Sequence, residues 1–255
     1  MKKIAVIGSG ISGNSAAWAL SHQYDVTLFE SDERPGGHSN TAVVEYGDRQ
    51  IAVDTGFIVY NDHNYPLLTR LFEHLGVKTE QSDMSFGVSL DSGRMEWSGQ
   101  GLKSIFAQRR NLFSPGFLSM LQEIFKFNRI CKDDLNSGKL CGSSFDEYLK
   151  VRRFSTRLKE DYLVPMTAAI WSSPPQRMLE FPAESLIRFM DNHRLIHKKH
   201  ERPKWRTVTG GSRQYVKRLL EDFRGQLRLN SKIAAIEPGP GEVLLTLADG
   251  STETF

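Results

Sequence analysis

Between Lys3 and Glu30 the chain carries a pattern that leaves few ways to fold. Lys3-Ile-Ala-Val-Ile7 is a short apolar run stopped by glycine, the mark of a buried parallel strand. Gly8-Ser-Gly10-Ile-Ser-Gly13 follows, and Ile11 to His22 then has helical spacing, with Ala16, Ala17, Ala19 and Leu20 offering a small apolar face that can lie close to a sheet. Asp25 to Glu30 is a second strand, with Val26 and Leu28 on one face and Thr27 and Phe29 on the other. Strand, glycine turn, helix and strand make a βαβ unit, and the three glycines have separate tasks in it. Gly8 permits the tight turn, Gly10 lets the backbone approach a diphosphate, and Gly13 lets helix and strand pack closely. The helix N-terminus at Ile11 and Ser12 presents N–H groups and partial positive charge to that diphosphate. Glu30, at the end of the second strand, stands where an acid accepts ribose hydroxyls and repels a 2′-phosphate. The unit therefore predicts a dinucleotide site, and both FAD and NAD use such a unit.

Farther on, Thr41–Tyr46 and Arg49–Val53 flank Gly47-Asp48 as a hairpin, and Leu67, Leu68, Leu71, Phe72 and Leu75 recur at helical spacing before a C-capping Gly76. Ser85–Leu90 and Arg94–Trp97 form a second predicted hairpin about Asp91-Ser92-Gly93. From Gly101 to about His193 the character is helical, with one long amphipathic stretch over Phe117–Leu135 and a capping box at Ser144–Glu147. Pro174 and Pro182 mark helix starts. Strands return at Trp205–Val208, Gln226–Leu229, Lys232–Glu237, Val243–Leu247 and Thr252–Phe255, with a helix over Ser212–Phe223. A helical insertion between two parts of one sheet domain explains this order, with boundaries at 1–82 and 205–255 for the sheet domain and 83–204 for the insertion. The last strand has only begun after the Asp249-Gly250 turn, so a fragment of a longer protein is expected.

Four further segments decide between the two dinucleotides. Glu30-Ser-Asp-Glu-Arg34-Pro-Gly36-Gly37-His38-Ser-Asn-Thr41 resembles the "E…R-x-GG" run of the flavin-dependent amine oxidase superfamily, which includes amine oxidases, phytoene desaturases and protoporphyrinogen oxidases. Val53-Asp54-Thr55-Gly56-Phe57 resembles its "D-x-G" segment, Trp205 to Leu219 with Gly210-Gly211 its "GG…L" helix, and Leu229 to Ile236 the strand whose backbone meets the adenine. Within the superfamily, the Gly-Gly-His-Ser-Asn-Thr, Asp-Thr-Gly-Phe-Ile-Val-Tyr and Ile-Trp-Ser-Ser-Pro runs are similar to those of a group of bacterial FAD/NAD-binding oxidoreductases. The resemblance implies an α/β fold with a Rossmann-type, glutathione-reductase-like FAD/NAD(P)-binding domain and an inserted, mainly helical substrate domain. It implies FAD as cofactor, with Arg34, Gly36, Gly37 and His38 around ribose and diphosphate, Thr55, Gly56 and Phe57 along the flavin ring, and Ile233 at the adenine. His38 departs from the pattern, because many amine oxidases have a phosphate-binding arginine there. A second flavin contact, a glycine-rich segment and helix near the family's C-terminus, has no counterpart in this chain.

The resemblance further implies an oxidoreductase that moves a hydride from a C–N or C–C bond of an apolar or amphipathic substrate to flavin. Trp171, Ser172 and Arg206 are the substrate-side candidates, and no residue is singled out as catalytic, since flavin accepts the hydride itself. Most of the insertion's aromatic residues, Phe106, Phe113, Phe117, Phe125 and Phe127 among them, are expected to be helix core. The basic strip 194–206 is expected as a solvated loop, or as a peripheral contact with an anionic membrane. A net charge of +3 is too small to indicate nucleic acid. Cys131 and Cys141 are too far apart for a CxxC pair and suggest unpaired thiols in a reducing cytoplasm, with no metal site. The glycines and serines after Gly8 argue against reading the N-terminus as a secretory signal. An NAD-linked dehydrogenase and an inert nucleotide-binding fragment remain as alternatives.

Overall fold

The glycine pattern folds as β1 (Lys3–Ile7), α1 (Ile11–Ser21) and β2 (Asp25–Phe29), seen in a computed structural model that describes residues 2–140, 142–171 and 173–255. β1 and β2 pair in parallel from Lys3 opposite Asp25 to Ile7 opposite Phe29. The chain goes on through the hairpin β3 (Thr41–Tyr46) and β4 (Arg49–Asp54), then β5 (Tyr60–Asn61), α2 (Pro66–His74) and β6 (Thr79–Ser82). Proline in the first turn of α2 costs no intrahelical bond, and Gly76, at φ 62°, ends the helix as expected.

The next stretch holds the hairpin β7 (Gly87–Leu90) and β8 (Met95–Ser98), followed among the described residues by seven α-helices. These are α3 (Leu102–Ile105), α4 (Pro115–Asn136), α5 (Phe145–Val151), α6 (Thr156–Leu158), α7 (Val164–Trp171), α8 (Pro175–Glu180) and α9 (Ala183–Asn192). Ser144 and Glu147 form the capping box, each side chain meeting the other's backbone N–H at 3.3 and 2.9 Å. Between α6 and α7 the helix widens to a π turn over Lys159–Leu163, two residues before Pro165, which has no N–H for the α-helical ladder. Strands resume with β9 (Trp205–Val208), then α10 (Arg213–Asp222), β10 (Gln226–Arg228), β11 (Ile233–Gly239), β12 (Glu242–Leu247) and β13 (Thr252–Thr254).

Two compact units result, one made of residues up to Ser82 with Lys204–Phe255, the other of Asp83–Pro203. In the first, β10 adds to β2 in parallel, giving the order β1-β2-β10, and β9 lies antiparallel between β5 and β6. β11, β12 and β13 form an antiparallel sheet. α1 packs on β1 and β2 and against α10, and the two helices are tied by the Trp18 indole N–H donating to Asp222 at 2.7 Å. Val26 and Leu28 are fully buried with Ala17, as the alternation of β2 requires. β1 departs from expectation. It is an edge strand among the described residues, and Ile7 is 47% exposed instead of buried on both faces.

The second unit packs its helices around Phe117, Met120, Phe127, Phe145 and Leu158. Two of the aromatic residues expected in this core are not there. Phe113 and Phe125 are 86% and 75% exposed, because the first ends a short 3₁₀ turn ahead of α4 and the second lies on the outer face of α4. Cys131 is buried and its Sγ lies 3.6 Å from the Tyr148 hydroxyl, where burial pushes the thiol well above its ordinary range. Cys141 lies outside the described residues. Among those described, no group of three or more His, Cys, Asp or Glu could hold a metal ion, and no helix is long and apolar enough to cross a membrane.

Candidate functional site

The turn after β1 is held from two sides. Gly8 donates to the Phe29 carbonyl at 2.8 Å and adopts φ 88°, where a side chain would be strained. A Cβ on Gly13 would collide with the Gly8 carbonyl oxygen, so the first turn of α1 can approach only because that residue is glycine. In front of Gly8 and Gly10 a Cβ would meet nothing within 4 Å, and α1 starts without any side-chain cap. Open space, approachable backbone and an uncapped helix end are what a diphosphate needs, and the residues present fit the group. Asn14 lies one turn farther along, 2% exposed, with its Oδ1 lacking a hydrogen-bond partner while its amide donates to the Ser9 carbonyl.

Glu30 is 7% exposed and collects donors from both sides of the turn. Oε2 accepts the Ser9 N–H at 2.8 Å and the Ser9 hydroxyl, while Oε1 accepts the Asp32 N–H at 3.0 Å and the Ser31 hydroxyl at 3.1 Å. Burial alone would raise its pKa, but these four hydrogen bonds to the ionised form outweigh it and hold the carboxyl down to about 2. Glu30 is therefore ionised at any pH the protein meets. A ribose hydroxyl reaching it has to take over from one of the serine hydroxyls.

The Arg34–Gly37 loop closes on the same turn. The Gly36 N–H donates to the Ser9 carbonyl at 3.0 Å and the Ser9 hydroxyl at 3.1 Å, and a Cβ on Gly37 would come within 3.1 Å of Gly10 Cα. Arg34 spends part of its guanidinium on the Gly37 carbonyl, 3.0 Å away, and so fixes the loop. His38 is exposed, but its carbonyl accepts the Phe57 N–H at 2.9 Å and abuts Gly56 so closely that no side chain fits there. Thr55 joins the same ladder, its N–H donating to the Asn40 carbonyl at 2.9 Å.

A second knot ties this ladder to α10. Asp54, at the end of β4, accepts the Ser212 N–H at 2.9 Å, the Ser212 hydroxyl at 2.8 Å and the Thr41 hydroxyl at 2.6 Å. Thr41 in turn accepts the Arg213 N–H at 3.0 Å. The start of α10 is thus capped by an acid from a distant strand, which also suits the helix dipole. Behind it Tyr215 bonds Ser39 and packs with Phe57, Tyr60 and Phe72. The chain just before Ile233 reaches the region through its backbone, since Ser231 donates to the Glu30 carbonyl at 2.7 Å and Asn230 to the Asp32 carbonyl at 3.0 Å, while Ile233 itself pairs with Leu247. Its side chain packs against the cluster of Phe29, Leu245 and Leu247.

Gly8 to Gly13, Glu30, Arg34 to His38, Thr55 to Phe57 and Ile233 therefore come together in one unit. Of the described substrate-side candidates, Arg206 shares that unit and Trp171 does not. Trp171 is in the helical unit, half-buried, its ring 4.5 Å from that of Phe189. Arg206 is in β9 and donates to the Thr79 hydroxyl at 2.7 Å. Ser172 lies outside the described residues. Sequence reading passed over Ser9, Asn14, Ser39, Thr41, Asp54 and Ser212, although Asp54 and Thr41 fall within the motifs that carried the resemblance.

The sequence signature of flavin containing amine oxidoreductases matches residues 11–255. The chain belongs to that family. FAD is accordingly its cofactor, and oxidoreduction is the chemistry of its class. Three solved structures share the fold. A putrescine oxidase bound to putrescine aligns over 99% of this chain with a TM-score of 0.66 at 16% identity. An oxidoreductase from Methanosarcina mazei aligns over all of it, with a TM-score of 0.60 at 16% identity. An Exiguobacterium protein provisionally assigned as a protoporphyrinogen oxidase covers 99%, with a TM-score of 0.61 at 20% identity. The chain spans 57% of the length of each of these three. Among curated proteins there is no match.

Proposed function

We propose that the chain acts as an FAD-dependent oxidoreductase, removing a hydride from a C–N or C–C bond of an apolar or amphipathic small molecule. The closure of the Arg34–Gly37 loop on the Gly8–Gly13 turn carries this reading. An NAD-linked dehydrogenase has no use for that loop or for the Asp54–Phe57 ladder that follows it. Bound FAD supplies a two-electron acceptor. The backbone of Gly8, Gly10 and Gly37 and the N-terminus of α1 receive its diphosphate, and Glu30 orients the ribose. The backbone of Thr55, Gly56 and Phe57 faces the ring, and the segment before Ile233 faces the adenine. The Asp83–Pro203 unit serves as the substrate unit, with Trp171 as a lining candidate. The strip 194–206 has less support as a membrane contact, because Arg194, Arg202 and Arg206 all bond within their own chain.

Purified protein should be yellow, with flavin absorbance that co-elutes on gel filtration. Under anaerobic conditions an apolar amine should bleach that absorbance, whereas a colourless protein that refuses added FAD would sink the proposal.

A further inference from the structure

The helical unit holds a second feature that neither the flavin reading nor the family accounts for. A cavity of about 320 Å³ opens between β8 and the start of α4, lined by Arg94, Arg110, Arg157, Met95, Phe113 and Phe117. Its charge is poorly balanced. Arg94 is paired with Asp91 at 2.6 Å and Asp161 at 3.5 Å, and Arg157 approaches the same Asp161 only to 4.0 Å. Arg110 donates to the carbonyls of Gly93 and Arg94 at 2.7 and 2.6 Å, which are neutral partners. Three guanidinium groups thus share two carboxylates.

The helix end makes the imbalance larger. α4 has 22 residues, its first turn holds no acid, and a Cβ on Gly116 would fall 2.9 Å from the Arg157 guanidinium carbon. A cation stacked on the positive end of a long helix is the reverse of the stabilising arrangement. Such a site gains most from an anion whose oxygens meet several guanidinium donors at once. The rim says which anion. Phe113 is 86% exposed and its neighbour Leu112 45% exposed, and only Asn111 separates them from Arg109 and Arg110. Exposed Leu and Phe beside arginines match the side chains that enter the boundary of headgroups and acyl chains while cations meet the phosphates.

We infer that this cavity receives the phosphate of an anionic lipid, with Leu112 and Phe113 inserted beside it, so that the helical unit docks on a negatively charged membrane surface. The inference does not rest on flavin binding.

The test is sedimentation of the full chain with phosphatidylcholine vesicles, with and without phosphatidylglycerol. Binding should require phosphatidylglycerol and fall with salt. Arg157→Gln should weaken it about fivefold and Phe113→Ser by a similar factor, with circular dichroism unchanged. Absence of salt-sensitive binding, or binding by both variants as strong as that of the wild type, would overturn the proposal. So would protection of the chain against heat by inorganic phosphate without vesicle binding, which would make the cavity a site for a soluble anion. Flavin absorbance measured on the same samples keeps this outcome separate from the fate of the oxidoreductase reading.

Discussion

Glu30 couples ligand binding to stability. Its carboxyl, held down to about 2 from an ordinary 4.5, is more acidic in the folded chain than in the unfolded one. The stabilisation is therefore complete well above pH 4.5 and is lost as pH falls towards 2, amounting to about 3 kcal/mol. Glu30→Gln should lower unfolding free energy by up to that amount at pH 7. Denaturant titrations at descending pH should show wild type and variant converging below pH 4.5. The same change should weaken FAD binding about tenfold to a hundredfold, read by fluorescence titration, since it removes a charged acceptor for the ribose. Gly13→Ala makes a sharper demand. With the Gly8 carbonyl in the way, α1 must move off the turn, and the variant should purify without flavin even where it folds.

At the scale of elements, Asp54 joins β4 to α10 by accepting from Ser212 and Thr41. Asp54→Ala leaves those donors without their acceptor and should cost about 1–3 kcal/mol. It should also loosen the Thr55–Phe57 backbone, so flavin affinity should fall although the changed side chain touches no cofactor in the proposed site. Thermal melts with and without FAD would read both effects. This contact also shows where sequence reading stops. β1 to β4, α1, α2 and the hairpin ending near Trp97 were legible because periodicity and glycine are local signals, and Gly8–Gly13 with Glu30 were legible for the same reason. Asp54 was not, because its role depends on Ser212, 158 residues away, and nothing in a single sequence pairs them. β5 and β6 were missed because they are short and polar at several positions, and only their pairing with β9 makes them strands. Phe113 and Phe125 failed in the opposite direction. Helical spacing near them was real, but aromatic character does not say which face of a helix finds a partner.

At the scale of the molecule, each unit has apolar clusters of its own. Phe127 is fully buried in the helical unit, and Phe127→Ala should cost about 3–5 kcal/mol. Hydrogen exchange should place the loss of protection within residues 83–203, and the amides of β1, β2 and β10 should keep theirs. Loss spread evenly over both units would show that they unfold as one.

The discontinuity of the first unit has a consequence for how the chain is made. Trp18 and Asp222 meet across 204 residues, and β2 receives its second neighbour only when β10 arrives. During synthesis β1, α1 and β2 leave the ribosome early and must wait, half assembled, while the whole helical unit emerges and can fold from nearby contacts. Non-local pairing of this kind slows folding and lengthens the time for which an open strand edge is available to other chains. The nascent protein is thus most exposed to mispairing at β2, at a stage when the helical unit is already complete in length.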